Sequence, residues 1–206
     1  MKGYYQVTFD HAMYIGFTEE FIRLKDEVAP MTAVPLECLW IIYSLAQQSL
    51  KRPGVFMECG VDRGGSAKVI SEAIKGYGRE LHLFDTFSGM PETNPEIDHH
   101  VKGDFPDSSV ERVQKYVEGA ILHPGIIPHT FSQIETIAFA HVDCDIYSST
   151  KACCEFIFPR LKGAMIFDDY GRHTTEGVRL AVDEYFQGRD AFLIPNMTSG
   201  QMVVIK

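Results

Sequence analysis

The sequence predicts an α/β protein: a mostly parallel, seven-stranded sheet with helices on both faces and a C-terminal antiparallel hairpin, preceded by a helical N-terminal cover. Three observations lead there. From residue 55 onward, short apolar runs alternate with stretches of helical periodicity, the pattern of strands joined by crossover helices. The first run, Val55-Phe56-Met57, leads through Glu58-Cys59-Gly60 into a glycine-rich turn, Arg63-Gly64-Gly65-Ser66. The apolar runs are continuous rather than alternating, as strands buried on both faces require.

Thr18 can cap a helix through Glu19, Phe21, Leu24 and Lys25, and Pro35 opens a second with Leu36, Leu39, Trp40, Tyr43, Leu45 and Leu50. Residues 1–50 therefore read as helical with a loose start, and Pro53-Gly54 separates them from a core over 51–206, all in a single domain. Helical periodicity follows over 66–77, 108–118, 149–161 and 175–186. Strands are expected at 81–85, 125–127, 137–143 and 164–168. Two last strands, 191–195 and 202–205, flank the turn Asn196-Met197-Thr198-Ser199-Gly200. The segment 86–106, with three prolines and His99-His100, is the expected mobile loop.

Composition narrows the partners. With 206 residues and a formal charge of −9, and without a Lys/Arg block, the chain lacks the footprint for a phosphate backbone or an anionic membrane. No run approaches the ~20 apolar residues that span a bilayer, and MKGYYQVTFDH has no secretory pattern, so a cytoplasmic protein is expected. Five cysteines, without a CxxC pair or zinc-finger spacing, read as reduced, mostly buried thiols. The apolar Trp40-Ile41-Ile42-Tyr43 run exceeds what one buried helix face needs and suggests a homodimer through the first fifty residues.

Two constellations carry chemistry. The turn from Glu58 to Ser66 lets a ligand approach the backbone and offers a helix N-terminus, but it is neither GxGxxG nor a P-loop. Its acidic strand end suits a cationic sulfonium or ammonium better than a pyrophosphate. Asp85, ending the next strand, stands where a carboxylate can take ribose hydroxyls. Together they favour a nucleoside with a cationic tail. The second constellation is acidic: His141-Val142-Asp143-Cys144-Asp145 ends one strand and Phe167-Asp168-Asp169-Tyr170 the next. Neighbouring parallel strands would bring Asp143, Asp168 and Asp169 together, and crowded carboxylates call for a hard divalent ion, Mg²⁺ first. His141 on its apolar strand reads as a core histidine, whereas His173 is placed for proton transfer at the rim.

These strings, with Leu83-Phe84-Asp85-Thr86-Phe87-Ser88-Gly89-Met90-Pro91, Asp145-Ile146-Tyr147-Ser148-Ser149-Thr150 and Arg179-Leu180-Ala181-Val182-Asp183-Glu184, resemble the macrocin O-methyltransferase family of antibiotic biosynthesis over roughly residues 32 to 186. The resemblance implies a class I methyltransferase, Rossmann-like fold, S-adenosylmethionine as cofactor, and a divalent cation used to methylate hydroxyls of small molecules, notably macrolide sugars. It places Glu58, Gly60, Gly64 and Ser66 on the amino-acid part of the cofactor, Asp85 with Ser88 on the ribose, and the metal on Asp143, Asp168 and Asp169. The more distantly similar catechol O-methyltransferases carry a lysine base three residues after the first ligand, where this chain has Ile146, so Asp143 or His173 is expected to take the proton. A phenolic acceptor and a non-catalytic nucleotide-binding module stay open as alternatives. A phosphohydrolase does not fit, because no cationic cluster awaits a phosphate.

Overall fold

A computed structural model describes residues 4–9, 12–131, 133–196 and 198–206. The N-terminal segment departs from expectation. Strands β1 (Tyr4–Phe9) and β2 (Ala12–Thr18) pair antiparallel, so the first thirteen described residues form paired strands rather than a loose helical start. The expected helices follow. Thr18 accepts a hydrogen bond from the Phe21 amide and caps α1 (Glu19–Val28), and Pro35 precedes α2 (Leu36–Ser49). Trp40 packs edge-on against Phe17 and Phe21, at 5.2 and 4.8 Å between ring centroids. The apolar run that suggested a dimer is thus covered, at least in part, within the chain.

The remaining strands are β3 (Val55–Cys59), β4 (Leu81–Asp85), β5 (Ile121–Pro124), β6 (Ile137–Val142), β7 (Leu161–Phe167), β8 (Phe192–Asn196) and β9 (Gln201–Ile205). They form one seven-stranded sheet in the order β5-β4-β3-β6-β7-β9-β8, parallel except for the closing β8–β9 hairpin, whose β9 pairs antiparallel with β7. Met197, in the turn of that hairpin, lies outside the described residues. The expected strand at 125–127 lies instead at Ile121–Pro124. It is an edge strand, half-exposed and pairing only with β4, so it needs no continuous apolar run.

Helices α3 (Gly65–Ala73), α4 (Val110–Tyr116), α5 (Tyr147–Arg160) and α6 (Glu176–Phe186) connect the strands. The period-2 alternation of the strands sorts the core into two layers. Phe56, Leu83, Phe139 and Ile166 pack under α1, α2 and α3; Met57, Phe84, Ala140 and Phe167 pack under α5 and α6. Helix α3 ends before residue 77 because the chain turns through Gly76 and Gly78, both with positive φ. All five cysteines are free, four of them buried. No helix among the described residues is long and apolar enough to cross a membrane.

The segment 86–106 is tied down rather than loose. Asp98 is buried; its Oδ1 accepts from the first amide of α5, Tyr147 N, at 2.8 Å, and its Oδ2 from Asn94 N at 3.0 Å. Met90 N donates to Asp104 O at 2.7 Å and Gly103 N to Met90 O at 2.9 Å. Beyond its end, the Ser108 hydroxyl bonds Asp62 O at 2.6 Å.

Candidate active site

The carboxyl ends of β3, β4, β6 and β7 open into a cavity of about 340 Å³, a size suited to a small-molecule site. One wall is the glycine turn. Gly60 has φ +83°, and a Cβ there would stand 1.9 Å from Asp143 O, so only glycine lets the two strand ends lie this close. Gly64, in the left-handed region, starts α3 without a side-chain cap, leaving the first amides of the helix, at Gly65 and Ser66, on the cavity lining with no capping partner. Asp85 braces the turn: Oδ2 accepts from Val61 N at 2.7 Å and Asp62 N at 3.2 Å, and Oδ1 from Phe87 N at 2.7 Å.

The opposite wall is acidic. Asp143 follows β6, its amide bonded to Cys59 O; Asp168 follows β7, its amide bonded to Val142 O. One carboxylate oxygen from each of Asp143, Asp145 and Asp169 lies within 4.8 Å of the others, all three side chains half-buried. Burial, then the charges of Asp168, Asp145 and Asp169, push the Asp143 carboxyl well above the usual carboxylate range. Burial and a hydrogen bond shared with Asp169 do the same to Asp145, and burial leaves Asp169 raised as well. Arg172 supplies the nearest positive charge, its Nε 2.6 Å from Asp169 Oδ1. Three carboxylate oxygens at this spacing could hold a hard divalent cation.

Asp168, expected in that set, lines the cavity beside it but is committed inward. Only 2% exposed, it accepts from Gln201 Nε2 at 2.6 Å and stands 3.5 Å from His141 Nε2. His141 Nδ1 is 2.7 Å from Glu58 Oε1, and both side chains are fully buried. Burial opposes a charge on His141, but the hydrogen bonds to Asp168 and Glu58 outweigh it and hold the imidazole protonated well above its ordinary range. The same contacts take Asp168 below the carboxylate range in spite of burial, while burial keeps Glu58 raised. A buried Glu58–His141–Asp168–Gln201 chain thus runs under the sheet end, from the glycine turn to the acidic rim.

Of the residues expected at the site, Gly60, Ser66, Asp85, Asp143, Asp168 and Asp169 line the cavity. Four do not. Glu58 shares a strand face with Phe56 and points into the core. Gly64 faces Val113 and Val117. Ser88 belongs to a smaller adjoining cavity. His173 is exposed outside the lining, where Arg172, Thr174 and Thr175 stand instead. Asp145 was missed. Its φ of +61° turns it at the strand end toward Asp143 and Asp169.

Residues 42–192 match the family model of the macrocin O-methyltransferases (TylF). Over 154 residues the chain is 30% identical to the 8-demethyl-8-(2,3-dimethoxy-alpha-L-rhamnosyl)-tetracenomycin-C 4'-O-methyltransferase of Streptomyces olivaceus. That alignment takes in 65% of the chain and 58% of the relative's length. Among solved structures, the O-methyltransferase NovP superposes with a TM-score of 0.73 at 23% identity, covering 85% of this chain and 82% of that one. The calicheamicin methyltransferase CalS11 does so with 0.68 at 21%, covering 93% and 95%. Both share the Rossmann-like methyltransferase fold.

Proposed function

We propose that this chain, which belongs to the macrocin O-methyltransferase family, transfers a methyl group from S-adenosylmethionine to a hydroxyl of a glycosylated natural product. The carrying observation is the meeting of three carboxylates within 4.8 Å of one another with an uncapped helix N-terminus in one cavity. The cofactor supplies an electrophilic methyl on a sulfonium. The amides at the start of α3 are free to take its carboxylate, and the acidic lining suits its positive charge. Asp85 already accepts three backbone amides, two on Oδ2 and one on Oδ1, and Oδ1 keeps acceptor capacity for a ribose hydroxyl. The curated relative, by its name, methylates a rhamnosyl 4' position, which favours a sugar acceptor over a phenol.

Asp143, Asp145 and Asp169 would hold a divalent cation, Mg²⁺ first, whose Lewis acidity lowers the pKa of a bound hydroxyl. Asp143, which lies against the glycine turn through Gly60, takes the proton in this proposal. Met31, Val34 and Ile127 close the apolar side of the cavity and keep water from the sulfonium. Catalysis is then mainly the positioning of two reactants.

Calorimetry of S-adenosylhomocysteine binding with and without Mg²⁺, followed by mass spectrometry of hydroxylated acceptors, tests this. Binding plus a gain of one methyl on a glycoside supports it. A methyl gained only by a catechol transfers the proposal to phenols, and binding without transfer to any acceptor returns the chain to a non-catalytic module.

A further inference from the structure

The segment 86–106 is fastened at both ends of the cavity, and what it carries between the fastenings has no part in the chemistry above. Asp98 holds it to the first amide of α5, two residues after Asp145; Ser108 holds it to Asp62 in the glycine turn. His100 and Phe105 lie between, and both line the cavity. His100 thus lines the same cavity as the carboxylates of Asp143, Asp145 and Asp169.

His100 is oriented. Its Nδ1 lies 3.1 Å from Asp104 Oδ2, which also accepts from Val101 N at 3.1 Å. The backbone bond from Val101 and then the His100 contact hold Asp104 below the usual carboxylate range. A carboxylate at Nδ1 selects the tautomer with the proton there and leaves Nε2 as an acceptor; among the described residues Nε2 has no hydrogen-bond partner. Phe105 stands 43% exposed with its ring 5.1 Å from that of His100, tilted by 51°. Its φ is +58°, and it precedes Pro106, which disfavours that backbone further. Such strain, about 1–3 kcal/mol, persists where surrounding bonds impose it and is typical of ligand clamps.

We propose that His100 and Phe105, oriented by Asp104, form the glycosyl subsite. The apolar C–H face of a hydroxylated pyranose lies on the Phe105 ring, and a hydroxyl adjacent to the methylated one donates a hydrogen bond to His100 Nε2. This deepens the O-methyltransferase proposal by naming what recognises the acceptor, and it rests on that proposal only for the position of the reacting hydroxyl.

The test is saturation-transfer NMR of methyl α-L-rhamnopyranoside and its monodeoxy analogues with the protein, alongside calorimetry of S-adenosylhomocysteine. Phe105→Ala should abolish saturation of the ring protons. His100→Ala should weaken the rhamnoside about tenfold, the scale of one hydrogen bond, with His100→Gln restoring most of it. One deoxy analogue should bind wild type and His100→Ala equally. Unchanged rhamnoside binding in both variants, with unchanged melting temperatures, overturns the subsite, as does rhamnoside failing to bind wild type at all. If the rhamnoside binds through His100 and Phe105 while S-adenosylhomocysteine does not bind, the subsite stands and the methyl-transfer proposal falls. If S-adenosylhomocysteine binds, only a catechol is methylated and the rhamnoside does not bind, methyl transfer stands and the subsite is overturned.

Discussion

Replacing Asp145 by Asn should make the metal-free protein more stable while weakening its hold on divalent cations. Two unit charges 4.8 Å apart repel by about 3.5 kcal/mol at an effective dielectric of about 20. Asp145 faces two such neighbours, Asp143 and Asp169. The full sum is not available, because Arg172 offsets part of the charge on Asp169 and the raised carboxyls of Asp143 and Asp145 keep protons in preference to bearing the repulsion. A net gain of about 1–2 kcal/mol is expected, which for a chain of this size is a rise in melting temperature of about 2–8 °C. Exchanging a charged carboxylate donor for a neutral amide oxygen should weaken Mg²⁺ or Mn²⁺ by about 100-fold, the upper end of what outer-shell changes cost. Differential scanning fluorimetry and calorimetry in EDTA-treated protein read both numbers. The chemically identical Asp168→Asn should go the other way in stability, because Asp168 balances His141 and accepts from Gln201 in the core. A fall in melting temperature for Asp145→Asn with unchanged metal affinity would refute the cluster.

Other consequences follow from the same geometry. Raised carboxyls at Asp143, Asp145, Asp169 and Glu58, and a raised imidazole at His141, mean that the folded protein binds more protons than the unfolded chain above their unfolded values. Stability of the metal-free protein therefore falls as pH rises above the ordinary carboxylate range and on through that of histidine, and saturating Mg²⁺ should flatten that slope in thermal melts. His141→Phe leaves Glu58 and Asp168 buried without their cation and should cost about 3–5 kcal/mol, read as a melting-temperature drop of about 6–20 °C. Gly60→Ala puts a Cβ 1.9 Å from Asp143 O at a φ of +83°. A loss of about 2–6 kcal/mol is expected, with loss of S-adenosylhomocysteine binding by calorimetry.

Much of this was legible in the residues. The four central parallel strands are apolar runs, three of them ending against the acids Asp85, Asp143 and Asp168, and the glycine turn fell where a strand had to meet a helix. The N-terminal hairpin was not read, though the β-branched and aromatic residues of Tyr4–Phe9 and Ala12–Thr18 carried a signal. The edge strand β5 escaped because it is half-exposed. Within the site, strand alternation already put Glu58 on the face of Phe56 and His141 on that of Phe139, which is why Glu58 bonds His141 rather than a ligand. Asp145 was hidden by a backbone reversal at positive φ that period-2 reasoning does not anticipate.

The most direct measurement is diffraction at the manganese edge from crystals grown with Mn²⁺ and S-adenosylhomocysteine. An anomalous peak within bonding distance of carboxylate oxygens from Asp143, Asp145 and Asp169, beside the cofactor on the α3 N-terminus, is the predicted result. Cofactor in place with no anomalous density among these three carboxylates would contradict it.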